Sequence, residues 1–295
     1  MKSRIATTLV LLLAVMVGGV NAQSKVLMFD MSHGQTEVPG LNLLERYEKI
    51  AGDAGATLKI NRVEITPAVL EGVTALIVMT PFRPPQPPAV FTPVEQDAIV
   101  EFVKRGGRAL VVAEEERRMD PEAAGLNDIV RPFGMEFGED TPVRNNVGSI
   151  ALLGEISQGR RELPYSGGRI LNGGIALSIV NDEGGYQHMA YAKLENGGRI
   201  IAAGDAMVLF FLGSAEGVRL SGPGGARGDA VVGAGAPRGA GPGGAEPPAT
   251  PAVGPPAAPA AGPGGSGGPG FALATMFWGK DSVPFVEDVV AWLLQ

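Results

Sequence analysis

Four short runs limit what this chain can become. Residues 25–29 read KVLMF, 73–79 VTALIVM, 108–113 RALVVA and 199–203 RIIAA. Each is of strand length and apolar along most of it, without the polar alternation of a strand that keeps one face in water. Such strands need cover on both faces, as in a parallel sheet clothed by helices. The expected fold is therefore α/β.

The stretches between these runs suit the crossovers. Residues 39–54 place Leu41, Leu44, Tyr47 and Ala51 on one helical face, and Gly52 and Gly55 mark its end. Residues 57–60 make a second strand, and 65–67 open a helical turn with Thr66 as cap and Pro67 at its first position. Residues 81–90 hold five prolines and read as a surface loop, since proline lacks the donor that a helix or central strand needs. Thr92-Pro93-Val94-Glu95 is a capping box. The helix it opens is expected to bury Val94, Ala98, Ile99, Phe102 and Val103, and to stop at Gly106-Gly107. Strand–helix–strand alternation of this kind implies right-handed crossovers. Further on, 126–133 reads as a helix ended by Gly134, 135–137 as a short strand, and 139–180 as irregular with short edge strands. Residues 186–194 alternate as a strand, and Gly197-Gly198 turns into the last buried run. Residues 281–294 read as a closing helix that buries Val283, Val286, Val290, Trp292 and part of Leu293.

Two segments stand outside this pattern. Lys2 and Arg4 precede an apolar stretch at 9–17 and the small-x-small triplet Val20-Asn21-Ala22. Residues 1–22 thus read as a secretory signal, and the protein as periplasmic or extracellular. No later run approaches the roughly 20 apolar residues of a membrane span. Within 221–270, 40 of 50 residues are Gly, Pro or Ala. That composition cannot offset the entropy of ordering, so disorder is expected there. A formal G-x-G-x-x-G at Gly265, Gly267 and Gly270 has no strand before it and carries no meaning. The expected division is a signal at 1–22, an α/β domain at 23–213 and 271–295, and a disordered insert at 214–270. What remains without signal and insert is ample for one core.

Composition removes several functions. There is no cysteine, so thiol nucleophiles, thiolate metal sites and disulfides are excluded. Without Lys2 and Arg4 the balance is 22 basic against 31 acidic residues, which disfavours nucleic acid. Glu114-Glu115-Glu116 with Arg117-Arg118 reads as a solvated loop.

The densest polar cluster follows the first strand: Asp30, Ser32, His33, Gly34 and Gln35. In open α/β sheets ligands sit beyond the carboxyl ends of strands. Asp205, after Gly204, follows the last buried strand. The first and last of these strands are expected to be neighbours, which would bring both loops to one rim. Asp30, Ser32, His33, Gln35 and Asp205 are therefore the candidate ligand-binding residues. Each also has a structural reading: Ser32 and His33 as loop or helix ties, and Asp205 as a helix cap. His188, in an alternating strand, reads as a surface or partly buried side chain. No G-x-S-x-G elbow, H-E-x-x-H pair or calcium loop is present. No cofactor or metal is expected.

Taken together, FDMSHGQ, ITPAVLEGVTALIVMTP, FTPVEQDAIVEFVKRGGRALVVA, GGRIIAAGD and FVEDVVAWLL carry a resemblance. They are similar to the GIFT-type domain of gliding-motility transporter auxiliary proteins and of an intraflagellar-transport protein, and to a related uncharacterised bacterial exported domain. These resemble class I glutamine amidotransferases without the catalytic residues. The resemblance covers most of 25–213 and 271–295. It implies a flavodoxin-like three-layer sandwich with a mostly parallel sheet, and recognition of sugars or of a protein partner. The chain departs from the pattern in its long insert and in lacking the transmembrane helices of the transporter-associated members. Amidotransferase activity needs a cysteine that is not here.

Three functions follow as expectations. One is a non-catalytic binding module for a glycan or an envelope protein, with hydroxyl-binding polar groups at the rim. Two Trp and four Tyr leave no evident aromatic platform for sugar. Another is a hydrolase acting on a sugar or ester, with His33 as base and Asp30 or Asp205 orienting it. The last is a structural envelope protein.

Overall fold

The computed structural model describes residues 24–35, 42–79, 90–143, 147–165, 167–211, 219–220, 271–272 and 281–295. The signal reading at 1–22, the start of the first helix, nearly all of the proline-rich loop and the Gly/Pro/Ala-rich span 221–270 lie outside these residues.

Strands β1 (Lys25–Asp30), β2 (Ala56–Asn61), β3 (Ala75–Met79) and β4 (Arg108–Val112) alternate with helices α1 (Leu43–Asp53) and α2 (Pro93–Lys104). Helix α3 (Leu126–Val130) runs into a 3-10 turn at Arg131–Phe133, ended by Gly134 with φ 74°. Strands β5 (Met135–Asp140), β6 (Ser149–Ala151), β7 (Arg161–Leu163), β8 (Arg169–Gly173), β9 (Ile175–Val180), β10 (Gln187–Lys193) and β11 (Arg199–Ala203) follow. The chain closes with α4 (Met207–Phe211), the strand pair β12 (Arg219–Leu220) and β13 (Phe271–Ala272), and α5 (Ser282–Leu293). Strand β12 lies inside the span read as insert, just ahead of the Gly/Pro/Ala-rich composition.

Nine strands form one sheet in the order β2-β1-β3-β4-β11-β10-β9-β6-β7. From β2 to β11 every pairing is parallel; from β11 to β7 every pairing is antiparallel. This is a flavodoxin-like α/β sandwich whose parallel half carries an antiparallel extension. The chain steps from β1 to β2 on one side and to β3 on the other, so the topological switch point is the β1/β3 boundary.

Side-chain parity builds the three layers. Leu27, Phe29, Ile77, Leu110 and Ile201 face one way and pack with Tyr47 of α1 and Phe285, Val289 and Trp292 of α5. Met28, Leu76, Val78, Val111 and Ile200 face the other way and pack with Ile99, Phe102 and Val103 of α2 and Ile129 of α3. Helix α5, the last element of the chain, thus shares the core of β1, the first. The antiparallel pair β5–β8 extends the second layer.

Two expectations need correction here. Val94 is 57% exposed, because in the first turn of α2 it is Glu95, bonded to His33 and Ile65 N, that turns inward. The span 139–180 holds more strand than expected: besides the short strands β6 and β7 at the sheet edge it supplies β8 and β9. Strands of three to six residues, broken by glycines at positive φ such as Gly173 and Gly174, are too short to show a period. No described helix is long and apolar enough to cross a membrane.

The end of β11 is held backbone against backbone. Gly204 donates to the His188 carbonyl at 2.7 Å and accepts from Arg169 N at 2.8 Å. A Cβ on Gly204 would stand 2.2 Å from the Arg169 oxygen. Gly204→Ala should therefore lower the unfolding free energy by about 1–3 kcal/mol, read as a lower urea midpoint at unchanged slope. A loss under about 0.5 kcal/mol would mean that the two segments separate freely.

Candidate functional site

Parity places the Asp30 side chain on the Met28 face, toward α2, and the site grows from that position. Asp30 is fully buried. Its Oδ1 accepts from Ser32 Oγ at 2.7 Å, Ser32 N at 3.3 Å and Asn61 Nδ2 at 2.9 Å. Its Oδ2 lies 2.8 Å from His33 Nδ1 and accepts from Gln35 Nε2 at 3.3 Å. A buried carboxylate is tolerated only when paired and hydrogen-bonded, and the loop after β1 folds back to provide this.

The same loop is then strapped outward. Gln35 Nε2 donates to the Met79 carbonyl at the end of β3 at 3.0 Å, and its Oε1 accepts from His33 N at 2.8 Å. The His33 ring stacks on Phe91, with centroids 3.7 Å apart and planes 24° apart. His33 Nε2 lies 3.2 Å from Glu95 Oε1 and 3.3 Å from Oε2. Glu95 is the far member of the predicted capping box, and both bonds of that box are present. It also accepts from Ile65 N at 3.0 Å. One knot thus ties the carboxyl ends of β1, β2 and β3 to the start of α2.

The charges follow from this geometry. Burial pushes Asp30 up, but bonds from His33, Ser32 and Asn61 and the His33 charge outweigh it and hold the carboxyl below its usual value. Burial likewise raises Glu95, and the N–H groups of Ile65 and Thr92, with His33, bring it below its usual value. His33 is pushed down by burial and up by Asp30 and Glu95, and the carboxylates win. A carboxylate at each ring nitrogen favours the protonated form.

Of the candidate residues, Asp30, Ser32, His33 and Gln35 are brought together; Asp205 is not. Strands β3 and β4 lie between β1 and β11, so the expected adjacency of first and last strands is corrected. Both loops share the carboxyl rim, but three strand spacings of about 4.8 Å separate their strands. The run VTALIVM and the β4 run are the intervening strands, because each is apolar enough to be central.

Asp205 meets a different partner. Its Oδ1 accepts from Met207 N at 2.8 Å, and Glu114 Oε1 accepts from the preceding Ala206 N at 3.2 Å. Asp205 Oδ2 is buried without a hydrogen-bond partner among the described residues. Burial and then the Glu114 charge push Asp205 well above the usual carboxylate range; burial also raises Glu114, against the opposing charge of Arg118. Glu114 was read as part of a solvated loop, yet its side chain is 14% exposed. His188, expected at or near the surface, is fully buried. Its Nε2 lies 3.0 Å from Ser178 Oγ, and burial pushes its pKa down to about 3.

Sequence reasoning missed Asn61 and Glu95 as members of the site. The available signals were an Asn at a strand's carboxyl end and a capping Glu that must be buried if its helix packs on a sheet. Among the described residues no group of three or more His, Asp or Glu side chains is placed to hold a metal ion.

No protein-family model matches the chain, and no curated protein sequence does. Solved structures share its fold. The mmIFT52 N-terminal domain is 19% identical over 63% of this chain and 88% of that one, with a TM-score of 0.50. A ThuA-like protein from Bacteroides uniformis is 14% identical over 64% and 88%, with a TM-score of 0.41. A GMP synthase-type protein from Thermoplasma acidophilum is 12% identical over 61% and 82%, with a TM-score of 0.37. The first of these agrees with the resemblance to the intraflagellar-transport domain, as a likeness of fold.

Two measurements check the electrostatics. Asp30→Ala should cost about 3 kcal/mol, because it strips the buried bonds of Ser32, Asn61, Gln35 and His33 Nδ1 at once and leaves His33 only Glu95, whereas Ser32→Ala should cost about 1 kcal/mol. The pH dependence has a definite sign. The His33 contribution is complete below the unfolded histidine value and is lost as pH rises through its raised folded value. The Asp30 and Glu95 contributions are lost as pH falls through their lowered folded values. His33→Gln should therefore be more damaging near about pH 5 than near about pH 9. Asp205 has the opposite sense to Asp30. Its raised value costs stability as pH rises, so Asp205→Asn should raise Tm more at about pH 8 than at about pH 4.

Proposed function

We propose that the chain is an exported, non-catalytic binding module that docks a protein partner on the rim above the Asp30 knot. What carries the reading is how the rim spends its polar groups. Asp30 accepts on both oxygens, His33 meets a carboxylate at each nitrogen, Ser32 donates to Asp30, and Gln35 is bonded at both ends of its amide. A hydrolase needs a base free to take a proton and a nucleophile within its reach, and this cluster leaves neither.

The apolar side chains around the knot support a protein partner. Val63, Val90 and Val94 are 59%, 50% and 57% exposed. They are three of the five large hydrophobics most exposed among the described residues. Val63 receives a bond from Asn61 on its carbonyl, Val90 precedes the Phe91 that stacks on His33, and Val94 precedes Glu95. Each of the three open valines thus adjoins or bonds to a residue of the knot, and a protein partner that covers them together is the reading proposed. A sugar face would use open aromatic rings. Among the described residues Tyr47, Tyr165, Tyr191 and Trp292 are buried and Tyr186 is partly buried.

The test is capture by chemical crosslinking in the native envelope fraction. Wild type should crosslink to a discrete protein partner, and the Val63→Asp/Val94→Asp double variant should lose it at unchanged Tm. Val94 is the second residue of α2, and an acid there suits the start of a helix and spares the fold. Equal crosslinking by both would remove the valine face from the reading. Turnover of an ester or glycoside that vanishes in His33→Ala would replace the binding module by the hydrolase.

A further inference from the structure

The parallel half of the sheet ends on β2, and that end is open. Strand β2 is the outermost of the nine and pairs with β1 on its inner side. Met31 N donates to the Asn61 carbonyl at 2.8 Å, so Asn61 turns its backbone groups toward β1. Backbone groups alternate sides along a strand. Those of Thr57 and Lys59 therefore also face β1, and those of Ala56, Leu58 and Ile60 face outward. Among the described residues nothing bonds to these three outward groups from beyond the sheet. Such an edge is a template for another strand unless a charge or a proline blunts it. Lys59 is the only charge in β2. It alternates with Leu58 and Ile60, which pack on the α1 layer, and so takes the other face. There its Nζ donates to the Val69 carbonyl at 3.2 Å.

On the α1 side a groove of about 360 Å³ opens between β2 and α1, lined by Asn42, Leu44, Glu45, Glu48, Leu58 and Ile60. Leu44, Leu58 and Ile60 are half-buried and form an apolar floor. Glu45 and Glu48 are exposed, and neither makes an ion pair with a described residue. No lysine or arginine lines the groove, and the Asn42 side chain does not cap α1. Two unpaired carboxylates beside an apolar floor suit the side chain of Arg or Lys. Its methylene stem can lie on Leu58 and Ile60 while its head reaches the glutamates. A second copy of this chain suits the edge less well. Paired β2 to β2 about a two-fold axis normal to the sheet, it would set two acidic helix faces side by side.

We propose that β2 accepts an added strand from a basic protein segment, with Arg or Lys at alternate positions seated on Glu45 and Glu48 and main-chain bonds to Leu58 and Ile60. The groove is separate from the valine rim, and neither reading depends on the other.

Peptide titration of the full chain at low ionic strength tests it, read by calorimetry and by residue-resolved amide hydrogen exchange. The probe is a blocked peptide of the length of β2, six residues, with arginine at alternate positions and threonine between. The control has the same composition with its arginines consecutive. The alternating peptide should bind saturably and several-fold more tightly than the control. It should slow exchange several-fold at the Leu58 and Ile60 amides and leave Thr57 and Lys59, already in the β1 ladder, unchanged. Glu45→Gln/Glu48→Gln should fold, since both side chains are exposed and unpaired, and should weaken binding several-fold. Val63→Asp/Val94→Asp should bind the peptide as wild type does. Absence of saturable binding, equal binding of the two peptides, or binding without protection of Leu58 and Ile60 would overturn the added strand. Undiminished binding by the glutamine variant would overturn the role of the two glutamates. Protection of those amides that grows with protein concentration and needs no peptide would replace the basic segment by a second copy.

Discussion

A single buried charge organises the working edge of this molecule. Asp30 ends β1 on the face that α2 covers, at the one point in the sheet where the chain winds away in both directions. Without partners a carboxylate there would cost several kcal/mol. The partners it recruits come from its own loop, from the end of β2 and, through His33, from the capping residue of α2. Every one of those bonds fixes a backbone segment. The loop after β1 cannot swing outward without stripping Asp30, and α2 cannot shift without stripping His33. The rim is rigid for an electrostatic reason more than for an apolar one.

The two histidines show how position decides ionisation. His33 has a carboxylate at each nitrogen and its pKa is raised; His188 has a serine at one nitrogen and no described partner at the other, and its pKa is lowered to about 3. Their contributions to stability run in opposite directions with pH. The two carboxyl clusters are opposed in the same way. Asp30 sees a cation and is lowered, while Asp205 sees Glu114 and is raised. Along one rim, then, the fold sets a fully compensated charge three strands away from an uncompensated carboxyl pair. A loss of stability at low pH would trace to Asp30, Glu95 and His188, and a loss at high pH to His33 and Asp205.

The parts of this arrangement that were legible in the residues are those governed by local rules. The apolar runs showed the central strands because a strand covered on both faces leaves an unmistakable composition. Thr92-Pro93-Val94-Glu95 showed the start of α2 because a capping box is complete within four residues. What escaped was set by pairing across the sheet. Nothing near Asp30 announces that Asn61, at the far end of the next strand, will reach its Oδ1. Nor does anything near Thr92 announce that Glu95 will turn from its cap to a ring in the loop after β1. Glu114 looked solvated because its neighbours Glu116 and Arg117 are. It differs from them by lying just past a central strand, so it still sits under the layer that covers β4 and β11. The antiparallel half was illegible for another reason. Its shortest strands span only three residues, and glycine turns carry much of its geometry.

These constraints also bear on what the switch point of this sheet can do. In an open α/β sheet the switch point is a crevice, and a crevice can be used in two ways. Its polar groups can be left free to act on a substrate, or they can be turned inward to hold the loops that form its lips. This chain has no cysteine to act as a nucleophile, and its acid, base and amide at the switch point are all consumed by one another. What such an arrangement produces is a stiff lip, and on this lip the outward side chains are valines. Rigid apolar groups lose little entropy when a partner covers them. Under the proposed reading the knot would preorganise such a surface, and the buried histidine would support it through the ties to Asp30, Glu95 and Phe91.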